Sequence, residues 1–123
     1  MTALRILVVD DDPAVARLLA RTAALEGADV TTVADGMAAR DVWTDGAFDL
    51  VLLDAMLPGV DGLTLCRERR LAGDLTPVVL VTARQPTDVE AKARDAGINA
   101  VLAKPFAYAD LVQVIRGHAA TPG

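Results

Sequence analysis

In DLVLLDAMLPGVDG, residues 49–62, four uninterrupted apolar residues, Leu50 to Leu53, run into an acid, Asp54, and then into a turn-rich loop from Met56 to Gly62. A run this short, bounded by turn formers and lacking polar alternation, reads as a strand buried on both faces, as in parallel sheets covered by helices. Three other stretches repeat the pattern: Ile6 to Val9 ends on Asp10, Asp11 and Asp12; Val78 to Val81 ends on Thr82; Ala100 to Ala103 ends on Lys104 and Pro105. Between these runs lie helical spacings. Strand and helix signals alternate five times, which predicts βα units wound around one open parallel sheet.

The helices are read from their caps and faces. The first has Asp12 as cap and Pro13 at its first position, carries Val15, Leu18, Leu19, Thr22 and Leu25 on one face, and stops at Gly27. Asp29 to Val33 reads as the second strand, followed by a helix to about Trp43 that Gly46 closes. Further helices are expected at about 63–71, 88–96 and 107–119. Residues 1–119 are expected to form one domain and 120–123 a tail or the start of a linker.

In open α/β sheets, ligands bind at the carboxyl ends of the strands. Parallel strands would therefore bring Asp10, Asp11, Asp54, Thr82 and Lys104 to one edge. Three carboxylates, a hydroxyl and an ammonium suit phosphoryl chemistry: an aspartate can form an acyl phosphate once the surrounding negative charge is neutralised. A hard cation is needed for that. Mg²⁺ fits, since it takes oxygen ligands and uses one or two carboxylates together with substrate phosphate.

The order of these groups and their flanks, ILVVDDDP, DLVLLDAMLPGVDG, PVVLVTAR and AVLAKPF, resembles the receiver domain of two-component response regulators over nearly the whole chain. The resemblance implies a flavodoxin-like doubly wound fold of five strands in the order 2-1-3-4-5. It implies that Asp54 accepts a phosphoryl group from a sensor histidine kinase or a histidine phosphotransfer protein, in a Mg²⁺-dependent reaction. Asp11, Asp54 and the carbonyl of Met56 would ligate the metal directly, with Asp10 acting through a bound water. Lys104 and Thr82 would each meet a phosphoryl oxygen, the amides of Ala55, Met56 and Ala83 would complete the cradle, and Ala83 would leave room for the donor imidazole. Lys104-Pro105 would be a cis peptide. The signal would pass to a downstream effector by protein contact, and the chain would catalyse only its own modification.

Some positions depart from that family. Receivers usually carry an aromatic three residues before the lysine, and this chain has Val101, too small to make the same inward turn. Asn99-Ala100 replaces the usual acid beside it, and Val114 replaces the arginine that transcription-factor receivers often carry. Those charges build the activated dimer of that subfamily, so its dimerisation mode is not carried over: a homodimer through helix 4, strand 5 and helix 5 stays an open alternative, and a more apolar contact around Val101 and Tyr108 is the output surface offered in its place. Met56 and Arg84 occupy the two positions that tune phosphoryl lifetime, and Met56 predicts slow hydrolysis. Two rival readings remain: an interaction module that does not use phosphorylation, and a haloacid-dehalogenase-like phosphatase that would use Asp10 and Asp12 as a D-x-D pair.

Composition narrows the classes. The chain has 123 residues, a formal net charge of -5 and only four aromatic residues, Trp43, Phe48, Phe106 and Tyr108, which argues against nucleic-acid binding by this chain. Cys66 is the only cysteine, so no internal disulfide forms, and its place among Leu63 and Leu65 reads as buried packing. With no signal-peptide pattern and no apolar span of membrane length, a cytoplasmic location is expected. His118 reads as a helix-end residue away from the site.

Overall fold

The computed structural model describes residues 4–83 and 86–119. Five strands and five helices alternate: β1 (Arg5–Val9), α1 (Pro13–Leu25), β2 (Asp29–Val33), α2 (Gly36–Asp45), β3 (Leu50–Asp54), α3 (Gly62–Leu71), β4 (Val78–Thr82), α4 (Pro86–Ala96), β5 (Ala100–Ala103) and α5 (Tyr108–Ala119). All strand pairs are parallel and the sheet order is β2-β1-β3-β4-β5. This is the doubly wound topology expected from the sequence, with the chain reversing direction across the sheet between β1 and β3.

Burial follows from strand position. Every residue of β3 and β4 is buried, whereas the edge strands β2 and β5 are mostly half-exposed. Side chains alternate between the two faces of a strand. Leu7, Val9, Val51, Leu53, Val78 and Leu80 pack with Ala39, Trp43, Leu65, Cys66 and Ala93 under α2, α3 and α4. Ile6, Val8, Leu50, Leu52, Val79 and Val81 pack with Leu19, Ala23, Leu111 and Ile115 under α1 and α5. Each fully buried Leu or Ile contributes about 1.5–3 kcal/mol of transfer free energy, so these two clusters hold the layers on the sheet. Cys66 lies fully buried as expected, and burial pushes its thiol above the ordinary value.

Three helices start from aspartate caps. Asp12 Oδ1 accepts from the amide of Ala14 at 2.9 Å, Asp35 Oδ1 from Ala38 at 2.8 Å, and Asp61 Oδ1 from Thr64 at 2.9 Å. Such a cap contributes about 1 kcal/mol and lets a helix begin directly after its strand loop. The helix bounds differ slightly from expectation. α2 runs on to Asp45, α3 starts at Gly62 because Asp61 is its cap, and α4 starts two residues early at Pro86, a residue suited to the first helical position.

Charged side chains brace neighbouring helices. Arg40 makes a two-pronged pair with Glu68, joining α2 to α3, and Arg116 pairs with Glu26, joining α5 to the end of α1. Arg70 of α3 donates to the carbonyl of Gly97 through Nε at 3.1 Å and Nη2 at 3.0 Å, to Asn99 Oδ1 at 3.1 Å and to the carbonyl of Asp74 at 2.9 Å. Gly97, with φ +87°, follows the last residue of α4, so Arg70 ties down the carboxyl end of that helix.

Candidate functional site

The alternation that builds the core also builds the site. Ile6, Val8 and Asp10 share one face, as do Leu50, Leu52 and Asp54, and Ala100, Leu102 and Lys104. Val9 stands level with Leu53, and Asp54 with Val81, so Asp10 and Asp54 emerge side by side at the carboxyl ends of the two central strands. Asp11 follows on the short β1–α1 connection. Carboxylate oxygens of Asp10, Asp11 and Asp54 all lie within 4.8 Å of one another.

These acids differ in setting. Asp10 is 1% exposed; its Oδ1 accepts the amide of Asp12 at 2.9 Å and its Oδ2 the ammonium of Lys104 at 3.0 Å. Asp54 is 7% exposed; its Oδ1 accepts the amide of Met56 at 3.1 Å and its Oδ2 lies 3.5 Å from Lys104 Nζ. Asp11 is exposed. Burial pushes the Asp54 carboxyl above its ordinary value, and Asp10 adds to that push, against the pull of the Met56 amide and Lys104. For Lys104, burial works downward, but the hydrogen bond to Asp10 and the charges of Asp54 and Asp10 outweigh it and hold the ammonium above its ordinary value.

Lys104 reaches this position through its backbone. Its amide donates to the carbonyl of Thr82 at 2.7 Å, and the Lys104-Pro105 bond is cis. Thr82, 1% exposed, ends β4 beside it, and the exposed Ala83 follows. Two hollows open near the cluster. One of about 580 Å³ is lined by Asp11, Met56, Pro58, Asp61 and Lys92; the other, of about 380 Å³ and nearly all apolar, by Val15, Leu18, Ala83, Lys104, Pro105 and Phe106.

Not every singled-out residue joins the cluster. Met56 extends its side chain outward at 62% exposure, so only its backbone turns toward Asp54. Val101 lies level with Leu80 and packs on the core cluster under α2, α3 and α4, away from the acids, while Tyr108 is half exposed at the start of α5. Asp12 is engaged as the α1 cap, so Asp10 and Asp12 do not form an acid pair facing one site. His118 Nδ1 lies 3.1 Å from the carbonyl oxygen of Val114, one turn back in α5. Arg84 and the tail at 120–123 lie outside the described residues. What the sequence reading lacked is close backbone packing: a β-carbon on Gly62 would stand 2.2 Å from the carbonyl oxygen of Asp54, and one on Gly36 would stand 2.1 Å from that of Val60. Asp35-Gly36 and Asp61-Gly62, an acid before a glycine at each helix start, were the available signal.

The acids, being hard oxygen donors gathered in one place, fit a small divalent cation, and the Lys104 ammonium fits an anion held next to them. Among the described residues no helix is long and apolar enough to cross a membrane. Residues 6–116 match the family profile of the response regulator receiver domain. The response regulator MprA of Mycobacterium sp. (strain KMS) is 41% identical over 112 residues, which cover 91% of this chain and 49% of that protein. The chain thus spans about half the length of the curated relatives it matches. The receiver domain of the Francisella response regulator 1452 superposes with a TM-score of 0.89 at 27% identity, covering 94% of this chain and 96% of that one. The receiver domain of the sensor histidine kinase PA1611 from Pseudomonas aeruginosa PAO1, solved with a magnesium ion coordinated in its active-site cleft, gives 0.87 at 30% identity, covering 98% and 100%. Fold, strand-end chemistry and these likenesses together establish that the chain belongs to the response regulator receiver domain family of two-component signalling.

Proposed function

We propose that Asp54 is the phosphoacceptor of this receiver, modified by a phosphohistidine donor and read out through altered protein contacts. The observation that carries the reading is the Lys104 ammonium standing 3.0 Å from Asp10 and 3.5 Å from Asp54, with Asp11 within 4.8 Å of those two carboxylates. An Asp54 carboxylate oxygen attacks phosphorus, an O–P bond forms as the N–P bond of the donor breaks, and the imidazole leaves to take up a proton. Because the transition state is loose, with charge on the equatorial oxygens, the residues act by position and charge.

Asp11, Asp54 and the Met56 carbonyl would hold Mg²⁺ directly, with Asp10 behind a water. Bound there, the ion supplies positive charge that offsets the crowded carboxylates and the incoming phosphoryl group. Lys104 exchanges its contact with Asp54 for one phosphoryl oxygen while keeping Asp10. Thr82 meets a second oxygen with its hydroxyl. The Met56 amide, which donates to Asp54 in the unmodified chain, turns to the new group with those of Ala55 and Ala83. Ala83, on the rim of the apolar hollow, leaves the donor ring room to approach.

A sensor kinase or histidine phosphotransfer protein would be the donor and an effector protein or domain the recipient, all in the cytoplasm. The chain turns over no separate substrate. Output would run through α4, β5 and α5, with a homodimer on that face as one form and Val101 and Tyr108 as its apolar part.

The test is to treat the protein and Asp54→Ala with acetyl phosphate and Mg²⁺ and to measure intact mass. A single phosphoryl adduct that requires Mg²⁺, is labile to alkali and is missing from Asp54→Ala carries the reading. No adduct on a protein shown to bind Mg²⁺ refutes it and leaves an interaction module independent of phosphorylation.

A further inference from the structure

The loop between β3 and α3 would supply the Met56 carbonyl to the cation, and its two ends are fixed at the mouth of the strand that carries Asp54, on Asp54 itself and on Ala55 just after it. The Met56 amide donates to Asp54 Oδ1 at 3.1 Å, and the amide of Gly62 donates to the carbonyl of Ala55 at 2.9 Å. The middle of the loop rests on something else. The amide of Gly36, first residue of α2, donates to the carbonyl of Pro58 at 3.0 Å. A β-carbon on Gly36 would lie 2.1 Å from the carbonyl oxygen of Val60 and 2.8 Å from both its carbonyl carbon and its β-carbon. These are mainly backbone atoms, so no flexible side chain can swing aside.

The start of α2 cannot yield easily either. Asp35 caps it, and Ala39 and Trp43, one and two turns along, are buried in the core. Met37 adds a second contact, its Cγ lying 3.3 Å from where a β-carbon on Gly59 would sit.

We propose that Gly36, on a helix that gives no side chain to the acid cluster, is a positioning residue that sets the height of the β3–α3 loop and so the place of the Met56 carbonyl in the cation site. The inference rests on the receiver reading above. Any β-carbon at this position drives the Val60 carbonyl away by about an ångström, and a loop fixed at both ends takes up that displacement between Met56 and Pro58. Mg²⁺ accepts only near-octahedral oxygens at roughly 2.0–2.1 Å, whereas Ca²⁺ tolerates irregular shells at roughly 2.3–2.6 Å. Displacing the carbonyl therefore costs Mg²⁺ more than Ca²⁺, and the ratio of the two affinities reports loop position in a way that mere loss of stability does not.

The experiment titrates ¹⁵N-labelled wild type, Gly36→Ala and Gly117→Ala with Mg²⁺ and separately with Ca²⁺, following amide shifts at a temperature where every variant is folded. Gly117, in α5, has open space around it and serves as the control. Gly36→Ala is expected to weaken Mg²⁺ binding about 10–100-fold, the range found for residues that orient ligands from behind, and Ca²⁺ binding by less. Asp35→Ala, which loosens the α2 start without inserting an atom, covers the case in which Gly36→Ala does not fold; it is expected to shift the ratio the same way by up to about fivefold. An unchanged Mg²⁺ affinity, or equal loss for both ions, overturns the inference and leaves the phosphoacceptor reading intact. A wild type that binds no Mg²⁺ overturns both.

Discussion

Replacing Lys104 by Met removes the ammonium standing between Asp10 and Asp54 while keeping much of its length. The side chains of Asp10, Asp54 and Lys104 are 0%, 9% and 19% exposed, so the charges meet largely out of water. Unit charges 3.0 Å apart attract by about 5–6 kcal/mol at an effective dielectric of 20. Desolvation of the ammonium offsets part of this gain. Removing one partner from a fully buried pair costs about 3–5 kcal/mol, and the partial exposure of Lys104 brings the expected loss to about 2–4 kcal/mol. Unfolding entropy of roughly 2.1 cal/mol/K per residue over 123 residues gives about 0.26 kcal/mol/K, so Tm should fall by about 8–15 °C. Melts followed by fluorescence of the buried Trp43, in chelator at neutral pH, measure this directly. Lys104 is held above its ordinary pKa, so its contribution is complete below the ordinary lysine value and disappears as pH rises through the raised one. Introducing Asp10→Asn into both backgrounds should reveal a coupling of at least about 1 kcal/mol. A loss under about 0.5 kcal/mol, or no coupling, would refute the claim that the ammonium holds the acids together.

Met56→Asn should speed loss of the phosphoryl group about fivefold, the effect of one hydrogen bond to an attacking water, as read by the decay of the phosphorylated mass; an equal or slower decay removes Met56 from the tuning positions. Burial alone would raise Asp74, but the hydroxyl and amide of Thr76, helped by Arg69, hold its carboxyl below the ordinary value. Its contribution is therefore present at neutral pH and lost as pH falls through that lowered value, and Asp74→Ala should cost about 1–2 kcal/mol at about pH 7 with the gap closing in acid denaturation. Gly117→Ala, at an open position of α5, should raise Tm by about 2–4 °C through lost freedom of the unfolded chain, and a fall in Tm would show that the space beside Gly117 is not open.

The fold was legible because apolar runs of strand length alternate with helical spacings, and the site because the same period of two that buries Ile6, Val8, Leu50 and Leu52 carries Asp10 and Asp54 to one side of the sheet edge. Asp12 as a cap could be read from Pro13 after it. Helix starts were read less well: Gly62 and Pro86 look like loop residues until the cap before Gly62 and the fixed φ of proline are weighed. The contacts of Gly36 and Gly62 lay beyond pattern reading, since a glycine at a helix start looks the same whether space or another backbone lies beside it. The Arg70 bonds to Gly97 and Asn99 were hidden for a related reason, because they depend on where a helix ends relative to a loop 27 residues later.

Arg70, by tying the carboxyl end of α4, makes that end a fulcrum. The 11 residues of α4 then form a lever of about 16 Å, and a swing of about 5° around Gly97 would carry Pro86 through about 1.4 Å. Pro86 is the end nearest in sequence to Thr82, so an ångström-scale step where β4 stops would become a tilt of the helix if it reached Pro86. The pivot of this lever would be held from the neighbouring helix α3, through the bonds of Arg70 to the carbonyl of Gly97.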